Sequence, residues 1–544
     1  MGGSCPPSIA RVTYVAEEFT STEADILRRY FTNLDQPVFA LVNLPEVVKG
    51  ALFARYSRSP KSLRRLFLDE FVGDLDISGD VSVDATMGLA RAEELYEKIF
   101  VEYGDDSVAQ LGGVHLACEQ ASNILTKGLE RGRLMSYLEQ STRYIAYDAR
   151  LGGRFRYYRD PHLLASRVGT RYIGEMDRMF DAYSNALEQV TEHIRRVVPQ
   201  AAGDSDFVYR QATRAKALDA VRGMLPASAT SNLGIYGSGQ AFEALLLRMR
   251  SHPLPEAREY ADQMLVELRK VIPSFLRRVD VPERGGAWSA YLTDINAQTE
   301  ELVDSLFGST PVENAAEVEL VDFDPQGEEK LLAAICYPHS AMSERQLQEQ
   351  VRSLTDEQRT ALLTAAIGER ENRRHKPGRS FERLDYRFDV LSDYGGFRDL
   401  QRHRLMTIDW QRLTPNNGFV RPDLVEEAGV RHLFDESMER SADLYDLLKP
   451  DFAQQASYAV AMAYRIRYSM QFNAREAIHL IELRSSPQGH PSYRRVVLEM
   501  HRLIAEQAGH RAVANSMTHL TTEAPDLERL DSERRAEARR ASER

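Results

Sequence analysis

Two stretches of the 544-residue chain decide how it is organised: residues 131–144 read RGRLMSYLEQSTRY, and residues 402–415 read RHRLMTIDWQRLTP. Both begin with Arg-x-Arg-Leu-Met, followed by Ser136 in the first stretch and by Thr407 in the second. A second pair lies downstream, where residues 240–248 read QAFEALLLR and residues 476–484 read EAIHLIELR. Because the two elements occur in the same order in both halves, the sequence predicts an internal duplication.

Residue periodicity predicts a helix-rich α+β fold. Helical spacing of three and four occurs in two groups of apolar residues: Ile124, Leu125 and Leu129, and Ala477, Ile478 and Ile481. Strand-like alternation occurs in two others: Tyr386, Phe388 and Val390, and Val318 and Leu320. We therefore expect most of the chain to be helical, with strands near the repeated stretches.

The length predicts at least two domains, because one hydrophobic core rarely organises so many residues. Residues 308–330 are rich in acidic residues and turn formers, which indicates a boundary. We predict an N-terminal domain at 1–310, a C-terminal domain at 311–525 and a charged tail at 526–544. The tail has almost no apolar stripe, so we expect a frayed helix or disorder there.

Composition narrows the compartment and the class of ligand. Residues 1–15 do not have the pattern of a signal peptide, and we expect no membrane span, because no apolar run is long enough to cross a bilayer. The net charge of −12 argues against binding to duplex nucleic acid. Three separated cysteines exclude a disulfide framework and disfavour a cysteine zinc site; Cys118 is predicted in a helical, apolar core segment. We expect a cytoplasmic protein without membrane partners, whose clustered arginines bind a small anionic ligand such as a nucleotide.

The first repeated stretch resembles the active-site signature of flavin-dependent thymidylate synthases. That signature reads R-H-R, two residues, Ser, one residue, Asn-Glu, one residue, Ser, one residue, Arg-Tyr. The matching residues are Arg131, Arg133, Ser136, Glu139, Ser141, Arg143 and Tyr144. The stretch departs at Gly132, where the family has His, and at Leu138, where it has Asn.

The second stretch resembles the same signature in the opposite way. It retains Arg402, His403 and Arg404 but has Trp410, Arg412, Thr414 and Pro415 where the family has Glu, Ser, Arg and Tyr. Downstream elements of the family are matched by Arg467, Asn473, Ala474, Arg475 and Arg484. At these downstream positions the first half offers Asn232 or Ser231, Gly237, Gly239 and Arg248. Each half thus retains the part of the family signature that the other half has lost.

The resemblance implies two tandem domains like the thymidylate synthase complementing protein, arranged as a pseudo-dimer with one site built from both halves. It also implies reductive methylation of dUMP or a related pyrimidine nucleotide, with methylenetetrahydrofolate as carbon donor and FAD, recharged by NADPH, as hydride source. A homodimer of such chains would then reproduce the family's assembly.

The resemblance also assigns roles to individual residues. Arg484 is the predicted catalytic residue, because a permanently charged guanidinium can stabilise a deprotonated pyrimidine ring. The predicted substrate-binding residues are Ser136, Glu139, Ser141, Arg143, Tyr144, Arg467 and Arg248. The predicted cofactor-binding residues are Arg402, His403, Arg404, Asn473, Arg475, Arg131 and Arg133. No metal is predicted, since His375, His479, His490 and His501 show no ligand spacing.

Simpler interpretations of these residues stay open. Arg131 and Arg133 could end a helix, His403 could lie in an exposed helical turn, and Glu139 with Ser141 could cap a helix. As a whole, the chain could be a flavin- or nucleotide-binding protein without turnover, with a regulatory or scaffold role. A purely helical interaction protein would make the arginine motifs accidental.

Overall fold

A computed structural model describes residues 14–72, 112–523, 527 and 529–542. Its helices are α1 (Ser21–Leu27), α2 (Glu46–Tyr56), α3 (Leu63–Glu70), α4 (Asn123–Leu129), α5 (Pro161–Ala165), α6 (Gly169–Val197), α7 (Asp206–Val221), α8 (Gly239–Arg250), α9 (Pro255–Arg269), α10 (Ala287–Phe307), α11 (Gly327–Cys336), α12 (Glu344–Arg352), α13 (Asp356–Ile367), α14 (Tyr394–Leu400), α15 (Asp423–Glu427), α16 (Arg431–Leu448), α17 (Ala474–Arg484), α18 (Pro491–Glu506), α19 (Arg511–Asn515) and α20 (Leu530–Ser542). Short 3-10 segments are Arg222–Met224, Pro273–Leu276, Tyr337–His339, Arg379–Arg383, Pro415–Asn417 and Gln455–Ala459, and Pro282–Gly286 is a π-helical turn. None of the helices described is long and apolar enough to cross a membrane.

Two four-stranded antiparallel sheets have the same strand order. The strands are β1 (Val38–Leu41), β2 (Gly113–Ser122), β3 (Met135–Glu139), β4 (Thr230–Ser238), β5 (Val318–Phe323), β6 (Asp385–Asp393), β7 (Met406–Trp410) and β8 (Arg465–Asn473). The first sheet is ordered β1-β2-β4-β3 and the second β5-β6-β8-β7. This equivalence confirms the predicted helix-rich α+β fold with a tandem repeat.

The repeated sequence stretches occupy equivalent places in the two sheets. Met135 pairs with Gly237 at the start of β3, and Met406 pairs with Phe472 at the start of β7. Gly237 lies one residue before the N-cap of α8, and Phe472 lies one residue before the N-cap of α17. Strand pairing therefore keeps the two halves in the same register.

The predicted periodic segments form the expected elements. The apolar residues spaced three and four apart lie in α4 and α17, and the alternating ones lie in β6 and β5. Cys118 is buried as expected, but the helical assignment was wrong, because it lies in β2. Because β2 is buried on both faces, its residues show no alternation of apolar and polar side chains, so periodicity alone did not separate strand from helix there. Cys5 lies outside the described residues.

The chain forms two compact units. The first comprises Met1–Ser184, Leu225–Val312 and Glu439–Val460, and contains the first sheet; the second comprises Asn185–Met224, Glu313–Met438 and Ala461–Arg544, and contains the second sheet. Each unit therefore includes one short segment from the other half of the sequence. The domain limits at 310/311 and 525/526 remain a prediction. The charged tail contains α20, where Arg534 Nε pairs with Asp204 at 2.7 Å.

The helices that follow the long strands are capped in the same way in both halves. Ser122 caps α4 and Asp393 caps α14, each by accepting a backbone N–H with its side chain. Ser238 caps α8, and Asn473 caps α17 by accepting the N–H of Glu476 at 2.9 Å. Short polar side chains at these positions satisfy donors that the first helical turn leaves open, which fixes where each helix starts.

A buried hydroxyl–carboxylate contact recurs in both units with its partners exchanged. In the first unit the Ser122 hydroxyl donates to Glu256 at 2.6 Å, and the Tyr458 hydroxyl donates to the same carboxyl group at 2.6 Å. In the second unit the Ser492 hydroxyl donates to Asp393. In the first unit the carboxyl group is that of Glu256 on helix α9, and in the second it is that of Asp393 at the end of strand β6. The two units therefore share the contact, although the residue types that make it differ.

Candidate functional site

The Arg-His-Arg segment lies in the loop between α14 and β7. His403 is buried, with 6% of its surface exposed, whereas Arg402 and Arg404 are exposed. The His403 N–H donates to the Leu400 carbonyl at 3.2 Å, which closes the turn after α14. The alternative that placed His403 in an exposed helical turn is therefore wrong.

His403 links a carboxylate to the predicted catalytic arginine. Its Nδ1 lies 2.7 Å from Glu476 Oε1, and its Nε2 accepts a hydrogen bond from Arg484 Nε at 3.0 Å. A neutral imidazole has one donor and one acceptor nitrogen, so accepting at Nε2 places the ring proton on Nδ1, which donates to Glu476. Glu476 and Arg484 both project from α17, and His403 connects them from outside that helix.

Burial keeps this imidazole neutral. Desolvation, followed by the charges of Arg484 and Lys376, holds the pKa of His403 well below its usual range. Desolvation also raises the pKa of Glu476, against the lowering effect of nearby cations. His479 lies beside them with its ring centroid 5.4 Å from that of His403, and burial lowers its pKa to about 4. Both histidines are thus uncharged at neutral pH.

Arg484 ends α17 with its guanidinium withdrawn from solvent. Its Cζ lies 5.5 Å from the ring centroid of Tyr493. Desolvation lowers the pKa of Arg484, while Asp399 and Tyr493 act in the opposite direction. Because the unperturbed pKa of arginine is so high, the group remains a cation, and one of its donors is held in a fixed direction by His403.

Arg222, from the first half of the sequence, belongs to the same compact unit. It is buried, and its Nη1 donates to Asp399 Oδ2 at 3.1 Å. Its Nε and Nη2 atoms are buried without a hydrogen-bond partner among the described residues. Gly395 lies against it, and a Cβ on that glycine would come within 3.2 Å of Arg222 Nε. Asp393 lies against the same glycine, with its Oδ1 3.0 Å from that Cβ position, so carboxylates of Asp393 and Asp399 both lie near Arg222.

One group of residues in the described part of the chain has ligand atoms close enough for a metal ion. His403, Glu476 and His479 each offer one, all within 4.8 Å of one another. His403 already donates to Glu476, and Arg484 and Lys376 add positive charge. A divalent cation bound there would have to displace that proton and lie beside both cations.

Three other predicted residues of the second half make contacts within the fold. Asn473 caps α17 through its side chain. Arg475 Nε donates to the Pro377 carbonyl at 2.8 Å, and Arg467 Nη1 pairs with Asp389 at 2.9 Å across β8 and β6. They are thus not part of the His403 hydrogen-bond chain, although Arg475 shares helix α17 with it.

The first half has no counterpart of His403. Arg131 and Arg133 are exposed in the turn that directly follows α4. Gly132 lies between them, and its carbonyl accepts a hydrogen bond from the Tyr137 hydroxyl at 3.1 Å. A Cβ at Gly132 would lie 2.6 Å from that hydroxyl, so Tyr137 occupies the space that a histidine would need.

Arg248 is the first-half counterpart of Arg484. Its Nη2 donates to the Gly128 carbonyl at 3.4 Å, and its Nε is buried without a hydrogen-bond partner among the described residues. Burial lowers the pKa of Arg248, with Arg131 acting in the same direction and Tyr137 against it. Arg248 and Arg131 are therefore close enough to interact, and His252 lies near both: burial, followed by the charges of Arg258, Arg248 and Arg131, lowers the pKa of His252 to about 4.

Glu139 is buried at the end of β3 and bound by a lysine. Lys127 Nζ donates to Glu139 Oε2 at 3.1 Å and also pairs with Glu130. All three side chains are almost fully buried. No helix begins at Glu139, so the helix-cap alternative was wrong for this residue.

Ser141, Arg143 and Tyr144 form a turn after β3. The Ser141 carbonyl accepts from Tyr144 N at 3.2 Å, and the Ser141 hydroxyl accepts from Arg143 N at 3.2 Å. Tyr144 is exposed and Arg143 is half-buried, whereas Ser136 is exposed on β3. The turn is thus closed by the Ser141 hydroxyl and the Arg143 backbone N–H, and it carries the Arg143 side chain at its half-buried position.

Sequence reasoning missed Glu476, His479 and Arg222. Glu476 and His479 are three residues apart, which places them on one side of α17, and Arg484 ends the same helix. Polar residues at helical spacing in an otherwise buried helix were the available signal. Arg222 has no comparable local signal.

Comparison with known proteins identifies the family. The model of the family "thymidylate synthase complementing protein" matches residues 64–274 and again residues 319–509. A "UPF0159 protein" of Chlamydia muridarum is 37% identical over 527 residues, which cover 96% of this chain and 99% of that protein. One from Thermoplasma acidophilum is 31% identical, over 89% of this chain and 97% of that protein.

A solved structure, a UMP/dUMP methylase PolB from Streptomyces cacaoi bound with 5-Br dUMP, is similar at 18% identity and a TM-score of 0.29, over 38% of this chain and 97% of that one. The family match supports a nucleotide methyltransferase-like role. Since the family model matches each half once and the relatives align over most of both chains, this protein belongs to the thymidylate synthase complementing protein family as a tandem-duplicated, divergent member.

Proposed function

We propose that the protein is an FAD-dependent, thymidylate synthase-like enzyme that reductively methylates dUMP or a related pyrimidine nucleotide. Methylenetetrahydrofolate would be the carbon donor and NADPH the reductant. The observation that carries the proposal is the buried chain from Glu476 through neutral His403 to Arg484. It holds a charged guanidinium in one orientation, which is what stabilising a developing anion requires.

The cationic surroundings fit an anionic cofactor and nucleotide. Arg402 and Arg404 are exposed on either side of His403, and Lys376 adds charge nearby. Arg222 contributes buried donors that lack hydrogen-bond partners among the described residues. We assign Arg402 and Arg404 to the FAD phosphates. When bound, reduced FAD would supply the hydride.

The residues of the chain would orient and polarise the nucleotide. Arg484 would donate to the pyrimidine ring and stabilise negative charge on it, with His403 fixing the guanidinium plane. His403 would remain neutral throughout, since charging it beside Arg484 in a buried place is unfavourable. We also assign Ser141 and Arg143 of the first unit to binding a nucleotide phosphate, because a hydroxyl and a guanidinium can both donate to a phosphate.

Residues of both sequence halves meet within the second compact unit, where Arg222 donates to Asp399. Asp399 in turn favours the charged form of Arg484. This supports a site that depends on both halves of the chain, as the complementary losses in the two motifs imply.

The test begins with the visible spectrum of the purified full-length protein and a titration with FAD. Turnover is then followed with dUMP, methylenetetrahydrofolate and NADPH, by chromatography of the methylated nucleotide. We expect Arg484→Ala to bind FAD but to lose at least roughly 100-fold in kcat, the usual cost of removing one donor to a developing anion. Arg345→Ala is the matched control, because Arg345 has an 87% exposed side chain. Normal turnover by Arg484→Ala would refute the assigned role.

Binding without turnover is the second candidate, and the first half favours it. Tyr137 fills the space of the missing histidine, and Lys127 binds Glu139. A protein that takes up FAD and nucleotide, yet forms no methylated product with both co-substrates present, would have this regulatory or scaffold function. A protein that takes up no FAD contradicts both candidates.

A further inference from the structure

A strongly basic loop, residues 370–379, follows α13 and leads into the 3-10 segment Arg379–Arg383. It reads RENRRHKPGR, with five arginines and lysines and one acidic residue, in a chain whose formal net charge is −12. No residue of this loop is among those that the sequence predicted for the site. Because cations concentrated in one place attract anions, the loop is a candidate for binding an anionic group.

Hydrogen bonds fix the loop against helix α17 at both of its ends. The side chain of Arg370 is almost fully buried, and its Nη1 donates to Glu482 Oε1 of α17 at 2.7 Å. The Arg370 Nε donates back to the His375 carbonyl at 2.6 Å. Near the start of α17, Arg475 Nε donates to the Pro377 carbonyl at 2.8 Å. The segment between these anchors is therefore held along the helix that ends in Arg484.

The middle of the loop is a β-turn, residues 372–375, which we call the arginine turn. The His375 N–H donates to the Asn372 carbonyl at 3.0 Å, so Arg373 and Arg374 occupy the two central positions. The Asn372 side-chain oxygen accepts from the Arg374 N–H at 2.9 Å, which adds a second closure to the same turn. Arg374 is exposed and Arg373 is half-buried. The turn thus presents two adjacent guanidinium groups from a fixed backbone.

The cations of the arginine turn are not neutralised by the fold. Within the part of the chain that the structure describes, Arg373, Arg374 and Lys376 form no ion pair. In the same loop, by contrast, Arg379 pairs with Glu382 at 3.0 Å. Guanidinium groups without a carboxylate partner keep their donors available for the oxygens of a ligand.

Lys376 connects the arginine turn to the candidate site. Its positive charge acts on His403, Glu476 and His479, so its ammonium group lies beside the hydrogen bonds that hold Arg484. The arginine turn directly precedes Lys376 in the chain and therefore lies at the border of the site. This is where the anionic end of a long ligand would lie if its other end reacted near Arg484.

We propose that the arginine turn binds the 2′-phosphate of NADPH, so that the enzyme prefers NADPH to NADH. The inference rests on the proposed function, which requires a dinucleotide reductant and assigns no residue to it. The 2′-phosphate is carried by the adenosine end, far from the nicotinamide that reacts. Arginine donates bidentately to phosphate, and an arginine accommodates the 2′-phosphate in dinucleotide-binding folds. So few cations in an acidic protein do not suit a nucleic acid, whose affinity depends on many phosphate contacts.

The binding test is calorimetry on the full-length protein with adenosine 2′,5′-bisphosphate, compared with adenosine 5′-monophosphate, which lacks the 2′-phosphate. Wild type should bind the bisphosphate at least roughly tenfold more tightly, the scale of one hydrogen bond to a charged group. The double variant Arg373→Ala, Arg374→Ala should lose that difference and keep its thermal unfolding midpoint. Arg345→Ala is the matched control, because it removes an 87% exposed arginine of α12, and it should leave both affinities unchanged.

Turnover gives a second measurement: in the double variant, kcat/KM for NADPH should fall at least roughly tenfold, and that for NADH should stay within about twofold. Equal affinity of wild type for the two adenosine nucleotides, or full bisphosphate binding by the double variant, would overturn the proposal. So would a double variant that loses binding of a poly-γ-glutamate peptide but keeps the bisphosphate, since the turn would then bind carboxylates. If wild type forms no methylated nucleotide, the proposed function fails, and calorimetry alone still decides whether the arginine turn binds the 2′-phosphate.

Discussion

Replacing Glu476 with alanine tests whether the buried hydrogen-bond chain positions Arg484. Glu476 is 4% exposed, and its carboxylate accepts the Nδ1 proton of His403 at 2.7 Å. Without that acceptor, the buried Nδ1–H of His403 loses its partner in the series of hydrogen bonds from Glu476 through His403 to Arg484. The imidazole of His403 would then be more stable if it rotated or changed tautomer to find another acceptor. Either change would disturb the hydrogen bond that its Nε2 accepts from Arg484.

The magnitude follows from the cost of one buried donor left without a partner, about 1–3 kcal/mol. Taking about 2 kcal/mol, and about 1.4 kcal/mol per factor of ten, we expect kcat to fall roughly thirty-fold. KM for the nucleotide should change less, because Glu476 acts through His403 rather than on a ligand. Glu476→Gln keeps a carbonyl oxygen in the same place, so it should retain kcat within about fivefold.

The assay is the initial rate of nucleotide methylation by wild type and both variants, with the thermal unfolding midpoint measured in parallel. A structural role alone would lower stability in both variants without the rescue of kcat by glutamine. If alanine and glutamine reduce kcat equally while both proteins remain folded, or if alanine has no effect, the hydrogen-bond chain does not position Arg484.

Two further predictions concern the first half of the chain. Burial raises the pKa of Glu256 from 4.5 to about 7. Between these two pH values the folded protein keeps a proton that the unfolded chain releases. The free energy of unfolding therefore falls as pH rises from 4.5 to about 7, by up to about 3 kcal/mol. Glu256→Gln should remove this loss, measured as the difference in urea midpoint between about pH 5 and pH 8; an unchanged difference would show that Glu256 does not carry it. Arg143→Ala should weaken nucleotide binding in calorimetry at least tenfold, because its turn offers the charged donor, whereas Arg412→Ala on the opposite motif should change it less than threefold. Equal effects of the two arginine variants would contradict the division of roles between the motifs.

Local sequence was sufficient to predict the repeat, the fold class and the family. The Arg-x-Arg-Leu-Met stretches lead into β3 and β7, and the second pair of stretches forms α8 and α17, because short-range spacing sets strand and helix. Family resemblance then singled out His403 and Arg484, which the structure joins by a hydrogen bond. Spacing could not distinguish a strand from a helix around Cys118, since β2 is buried on both faces and its apolar residues do not alternate with polar ones.

What the tertiary structure decided is how residues distant in sequence meet. The contacts of His403 with Glu476 and Arg484 span 73 and 81 residues, and that of Arg222 with Asp399 spans 177. The neutral state of His403 and the binding of Glu139 by Lys127 depend on burial, a property of the packed molecule. Periodicity along a chain reports which face of an element is apolar, whereas protonation and ion pairing depend on everything packed around a group, and only folding brings those neighbours together.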